Sequence, residues 1–184
     1  MKLKKIPATG FSLMEMLIAT SIFVIVSMAS LAIYSATIRA GRQTTALTRV
    51  QQDTQLIMQV LAKKIRGSAV NYEYVNYTPA VVNPEDELAL IDEFGDEYVF
   101  KKSGSSLVVS INGGPDKIIN AEAVLINDLK FFINPATDPF GSVSDPPISQ
   151  PYVTISLTIS SSKGGENAGL TVQETVPQRA GSTD

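Results

Sequence analysis

Cysteine, histidine and tryptophan are all missing from the 184 residues. Without cysteine there is no disulfide framework and no thiolate metal site. Without histidine as well, the usual general base, the commonest zinc ligands and the thiol nucleophile are gone. Carboxylate or Ser/Lys chemistry remains open, but no arrangement of residues prompts it, so no catalytic residue, cofactor or metal is assigned. Proline is missing between Pro7 and Pro79, and charge is missing from Met16 to Ile38. The first absence permits a long uninterrupted helix. The second permits part of that helix to lie in lipid.

What is there begins with Gly10 to Ile38, GFSLMEMLIATSIFVIVSMASLAIYSATI, an apolar run whose single carboxylate is Glu15. As a helix, Met16 to Ile38 is roughly 34 Å long, enough for a hydrocarbon core of about 30 Å. Lys2, Lys4 and Lys5 precede the run and should stay cytoplasmic, sending the C-terminal bulk across the membrane. Three readings fit. One is a permanent anchor with Glu15 near the interface. Another is a secretory signal cut after Ser30-Leu31-Ala32, for which the run is long and its acid unusual. The third places the cut after Gly10, so that Phe11 becomes the new N-terminus and the whole apolar helix is kept.

Gly10-Phe11-Ser12-Leu13-Met14-Glu15, after a short Lys-rich leader and before an apolar helix, resembles the class III signal of bacterial type IV pilins and pseudopilins. The resemblance implies cleavage between Gly10 and Phe11 by a prepilin peptidase, methylation of the new amine on Phe11, and Glu15 as the assembly carboxylate. A physical argument stands beside it. A carboxylate at the centre of a membrane helix costs about 2.5–3.5 kcal/mol on insertion scales, so it needs a partner or a proton. Cleavage would create an α-ammonium at Phe11, four positions away in the same chain and equally available from a neighbouring helix. A pair between subunits would fix their axial register, as buried polar residues do in coiled coils. Snorkelling of Glu15 to the headgroups is the plain alternative.

The helical pattern continues past Ile38 in amphipathic form. Leu47, Val50, Thr54, Ile57, Leu61 and Ile65 recur at three- and four-residue spacing, with Arg49, Gln51, Gln52, Asp53, Gln55, Gln59 and Lys63 on the other faces. Gly67 is the expected stop. The chain therefore divides into a leader (1–10), a transmembrane and assembly helix (11–38), the amphipathic half of the same helix (39–66) and a β-rich globular head (67–184). The expected class is α+β, a long N-terminal helix packed on an antiparallel sheet. That is the arrangement the resemblance implies, a pilin fold. Major pilins commonly carry Pro and Gly inside the stem; Phe11 to Ala40 has neither, which resembles minor pilins and pseudopilins more.

Within the head, Tyr72, Tyr74 and Tyr77 are expected to pack the helix-to-sheet connection, with a contact surface as the alternative. Glu87 to Asp92 and Asp96 to Lys102 should form a hairpin about Glu93-Phe94-Gly95. Leu107 to Ile111, closed by Asn112-Gly113-Gly114-Pro115, and Lys117 to Ile119 follow. Then comes Val124 to Ile133, with Leu125, Leu129, Phe131 and Ile133 on one face. Pro135 to Pro151 should be an exposed loop; Asp138 and Asp145 fit no calcium loop, so a plain loop is preferred. The last hairpin alternates Val153, Ile155, Leu157 and Ile159 with polar residues, turns at Lys163 to Asn167 and returns through Leu170, Val172 and Val176. Arg179 to Asp184 reads as a frayed tail.

The head resembles the J-class pseudopilins of type II secretion and the W-class minor pilins. Three stretches carry this: Asp92 to Val99, Val124 to Phe132 and Val172 to Arg179. The end departs, since Ala180 follows Arg179 where family members often place Asn. Residues 39–66 carry six Arg/Lys against Asp53 alone, whereas 67–184 carry sixteen acids against six bases. Glu85, Asp86, Glu87, Asp92, Glu93, Asp96 and Glu97 form a dense acidic group, either a solvated hairpin or a docking patch for a basic surface. Nucleic acid is an unexpected partner for such a head. The implied function is a non-enzymatic structural subunit of a pilus or secretion pseudopilus, at or near its tip. Its partners would be other pilins or pseudopilins, the prepilin peptidase, an inner-membrane assembly platform and the bilayer, with the head on the periplasmic side. The alternative is a non-assembling membrane-anchored extracytoplasmic binding protein.

Overall fold

The structure, a computed structural model, describes residues 10–77, 80–139, 150–161 and 168–178. The leader before Gly10, most of the Pro135 to Pro151 loop including Asp145, the Lys163 to Asn167 turn and the tail from Arg179 lie outside the described residues. The chain divides into two units, the first ending at Arg42 and the second starting at Gln43. Helix α1, Leu13–Arg66, is 54 residues long and crosses from one unit into the other. It contains a stretch long and apolar enough to cross a membrane, and none of that stretch is buried by the rest of the chain.

In the second unit, α1 presents one stripe to the core: Ala46, Val50, Thr54, Ile57, Met58, Leu61, Ala62 and Ile65. Leu47, expected on this stripe, is exposed. The stripe enters by four-residue steps from Val50 back to Ala46, so position 47 falls to its side. Complete burial of Ile57, Leu61 and Ile65 contributes about 1.5–3 kcal/mol each. Thr54 joins the buried face because its hydroxyl donates to the Val50 carbonyl at 2.7 Å, which leaves its methyl to pack. At the end of α1 the Gly67 N–H reaches the carbonyls of Lys63 and Lys64, both at 3.2 Å, and the chain passes directly into β1, Ser68–Val70.

Two antiparallel sheets follow, where a single one was expected. The first is a meander in the order β1, β2 (Glu87–Asp92), β3 (Glu97–Ser103), β4 (Ser106–Ile111) and β5 (Lys117–Ile118). The second holds β6 (Val124–Asn134), β7 (Tyr152–Ser161) and β8 (Gly169–Pro177), again in chain order. A bridge between Glu85 and Phe131 and a bond from the Ile126 N–H to the Ser105 carbonyl join them. Short connections fix the antiparallel run from β2 to β5, whereas longer segments join β1 to β2 and β6 to β7. Asn112 and Gly113 both take positive φ, 51° and 67°, the two left-handed positions of a type I′ turn. Gly95, at φ 84°, closes the β2–β3 turn.

The inner face of β7 is as expected: Val153, Ile155, Leu157 and Ile159 are completely buried. Their cross-strand partners on β8 are Val176, Glu174, Val172 and Leu170. On β6 the expected face is corrected. Leu129, Phe131 and Ile133 are buried, but Leu125 is not among them; Val124 and Ile126 are. The register shifts between Ile126 and Asp128, a bulge that inserts one residue and reverses the parity of the strand.

Buried polar groups tie these layers together. Asn120 accepts from the Leu107 N–H at 2.8 Å and donates to the Val124 carbonyl at 3.1 Å, linking β4 to the start of β6. Gln178, after β8, donates its side-chain amide to the Ser68 carbonyl at 2.9 Å. Asp53 on α1 accepts from the Ala121 N–H at 3.2 Å.

Candidate functional site

The residues singled out at the N-terminus stand at the start of α1. Phe11 precedes the helix and is 77% exposed. The Ser12 carbonyl receives the Met16 N–H at 3.1 Å, the first bond of the ladder. Glu15 lies in the first turn, exposed, where the partial positive charge of a helix N-terminus favours a carboxylate. Among the described residues it has no hydrogen-bond or ion-pair partner. Among the described residues, nothing lies within 4 Å of where a Cβ at Gly10 would sit.

Five of the hydroxyls within the apolar stretch are satisfied by the helix itself, a detail periodicity did not reveal; those of Ser27 and Tyr34 are not. Thr20 donates to the Met16 carbonyl at 2.9 Å, Ser21 to Leu17 at 2.7 Å, Ser30 to Val26 at 2.9 Å, Ser35 to Ala32 at 3.0 Å and Thr37 to Ile33 at 3.0 Å. Hydroxyls bonded this way need no water, the condition for placing them in hydrocarbon. Large side chains such as Phe23, at 72%, and Ile33, at 69%, are open to the surroundings. In water such a continuous apolar surface is a liability that demands a partner or lipid.

The acidic group of the head is mostly occupied by bonds within the chain. Asp86 pairs with Lys130. Glu87 accepts from the Tyr74 hydroxyl at 2.6 Å and from Asn76 at 2.8 Å, and Glu97 from Asn71 at 2.6 Å. Asp96 accepts from Asn112 at 2.8 Å, and Glu85 from the Val82 N–H at 2.7 Å. Asp92 caps its own turn, accepting from the N–H groups of Phe94 and Asp96, both at 3.0 Å, and pairs with Lys64 at 3.2 Å. Desolvation would raise the Asp92 carboxyl, but the Asp96 N–H, the Lys64 ammonium and the Phe94 N–H together hold it below its ordinary value. The Lys64 ammonium also sits 3.1 Å from the centre of the Tyr98 ring. Only Glu93 of the seven acids has no such partner among the described residues. The group is largely engaged within the fold and leaves little of a free docking patch.

The tyrosines take the packing role. Tyr77 is 1% exposed, and its ring meets Tyr74 edge to face, with centroids 5.3 Å apart. Tyr72 and Tyr74 are half-buried against the core, and the Tyr72 hydroxyl donates to the Pro135 carbonyl at 3.0 Å.

Beside the Lys64–Asp92 pair lies an apolar groove of about 560 Å³, between the last turns of α1 and the open face of β3 and β4. Val60, Tyr98, Phe100, Val109 and Ile119 line it, together with Lys63, Glu93 and Phe94. Among the described residues no group of three or more Asp and Glu is placed to hold a metal ion. Neither a protein-family model, nor a curated protein, nor a solved structure matches the chain.

Proposed function

We propose that this chain is a membrane-held structural subunit of a pilus-like fibre, a minor pilin or type II secretion pseudopilin with a pilin fold. In this reading it is cut between Gly10 and Phe11 by a prepilin peptidase, methylated at Phe11 and assembled through α1. Glu15 carries the reading: it is the one charge in an otherwise uncharged, exposed helical run, and no group of the described chain neutralises it. The helix-bonded hydroxyls of Thr20, Ser21, Ser30, Ser35 and Thr37 support a lipid or helix-bundle environment.

In a bundle of such stems, the α-ammonium at Phe11 of one subunit neutralises Glu15 of the next. Removing one partner of a buried ion pair costs about 3–5 kcal/mol, because the other charge is left uncompensated. Replacing Glu15 by Leu in a simple anchor removes a desolvation cost and leaves insertion intact. The two roles therefore respond oppositely.

The test is incorporation of Glu15→Leu and Glu15→Gln, measured by crosslinking to other pilin-like chains, with intact mass taken on the same membranes. The expected mass begins at a methylated Phe11, and both variants should reach normal membrane levels but fail to incorporate. Incorporation of Glu15→Leu at the wild-type level would remove the assembly role and leave a tethered binding protein. A mature chain beginning at Ile33 would instead mark a secretory signal.

A further inference from the structure

The apolar wall of the groove beside α1 and the β2–β3 turn that also lines it carry complementary chemistry, so that two copies can exchange them. The wall of Val60, Tyr98, Phe100, Val109 and Ile119 is apolar, and Lys63 stands beside it, exposed and without an ion-pair partner among the described residues. The β2–β3 turn offers the opposite chemistry in two consecutive residues. Phe94 is 82% exposed, the most exposed aromatic side chain of the head among the described residues, and Glu93 next to it is exposed and unpaired. The turn that carries them is stiff, because Asp92 accepts from both Phe94 and Asp96 and Gly95 supplies the positive φ. A rigid aromatic knob costs little entropy to dock.

We infer that two copies of this chain associate head to head, each placing Phe94 in the other's groove and setting its Glu93 against the other's Lys63. The contact is isologous: the same turn and groove serve on both sides, so one aromatic insertion and one ion pair each occur twice. Charge complementarity selects a second copy over a lipid or an unrelated apolar segment. An acyl chain has no use for the Glu93 charge, and a basic helix would meet Lys63. Lys64 is already committed to Asp92 and Tyr98, which leaves Lys63 as the cation available to a partner. The inference concerns the second unit alone and does not depend on the role assigned to Glu15.

Charge exchange tests it on the full chain in detergent micelles, where the stems are identical in every sample and only differences between variants are read. Phe94→Ser should weaken association by about tenfold or more, the loss expected for a central aromatic anchor. Glu93→Lys and Lys63→Glu, each alone, set like charges together twice and should weaken it several-fold. Mixed in equal amounts, the two variants form pairs in which both contacts are again opposite in sign, and association should return to the wild-type level. An ion pair within one chain cannot produce that rescue. The chain has no cysteine, so oxidising a mixture of Glu93→Cys and Lys63→Cys chains with diamide should also yield a disulfide-linked heterodimer. Wild-type association of Phe94→Ser, or a mixture no better than its components together with no heterodimer, would overturn the inference. Either result would give the groove to another occupant or to Phe94 of its own chain.

Discussion

The Tyr77 hydroxyl is used twice, donating to the Glu87 carbonyl at 2.9 Å and accepting from the Ala89 N–H at 3.0 Å. β1 pairs with β2 only from Leu90 to Asp92, so the Glu87 to Ala89 portion of that edge lacks a strand and a side chain completes it. Tyr77→Phe keeps the ring but strands a buried N–H, and should lower stability by about 1–3 kcal/mol in denaturant titration. Burial, and then the Asp138 charge, push the Tyr72 hydroxyl from 10.0 up to about 12; burial raises Tyr74 and Tyr77 as well. A folded-state value above the unfolded one means that the protonated form is favoured by folding. Their contribution is thus complete below about pH 10 and lost as pH rises through 10 toward 12 and beyond. The unfolding midpoint should fall across that window, and fall less in Tyr77→Phe. A midpoint indifferent to pH there would contradict the burial of these rings.

At the scale of the element, β6 shows what alternation alone leaves open. Val124 and Ile126 face the core from one parity and Leu129, Phe131 and Ile133 from the other, with Asn127 as the inserted residue. Deleting Asn127 would leave a strand of regular alternation with every core residue still inward, at the cost of one exposed bond from Ser160 at 3.0 Å. The thermal midpoint should move by only a few degrees, as expected for about 1 kcal/mol. Deleting Lys130 instead turns Phe131 and Ile133 outward and Phe132 inward, a one-residue slip that should abolish cooperative unfolding. Equal tolerance of both deletions would refute the assigned register. The bulge was not legible in the sequence, because Leu125 continues the odd-numbered apolar series as well as any core residue would. Only the pairing with β7 decides against it.

For the molecule as a whole, no described residue before Gln43 is buried, whereas the core begins at Ala46. A chain starting at Gln43 therefore loses the membrane-compatible stretch and no core side chain. It should be a water-soluble, cooperatively unfolding domain with mixed helix and strand signals in circular dichroism; an unfolded product would mean that the head depends on its stem or on partners. The course of α1, the β2–β3 hairpin and the alternation of β7 were legible beforehand because they are local: periodicity, turn residues and a missing proline determine them within a few neighbours. The Gly10 to Glu15 motif is local too, which is why it could be read without coordinates. Other features depended on residues far apart in the chain. The division of the strands into two sheets, the inward turn of Val124 and Ile126, and the Tyr77 hydroxyl at the edge of β2 arise where distant segments meet. So do the bonds that occupy most of the acidic group, and the apolar groove beside α1. By itself the sequence determined the long helix, most of the strands and where lipid could be tolerated, since those follow from nearest neighbours and solvent, whereas β1 was missed. Tertiary structure decided which charges remain free and which apolar surfaces remain open, because a side chain's partners are set by packing.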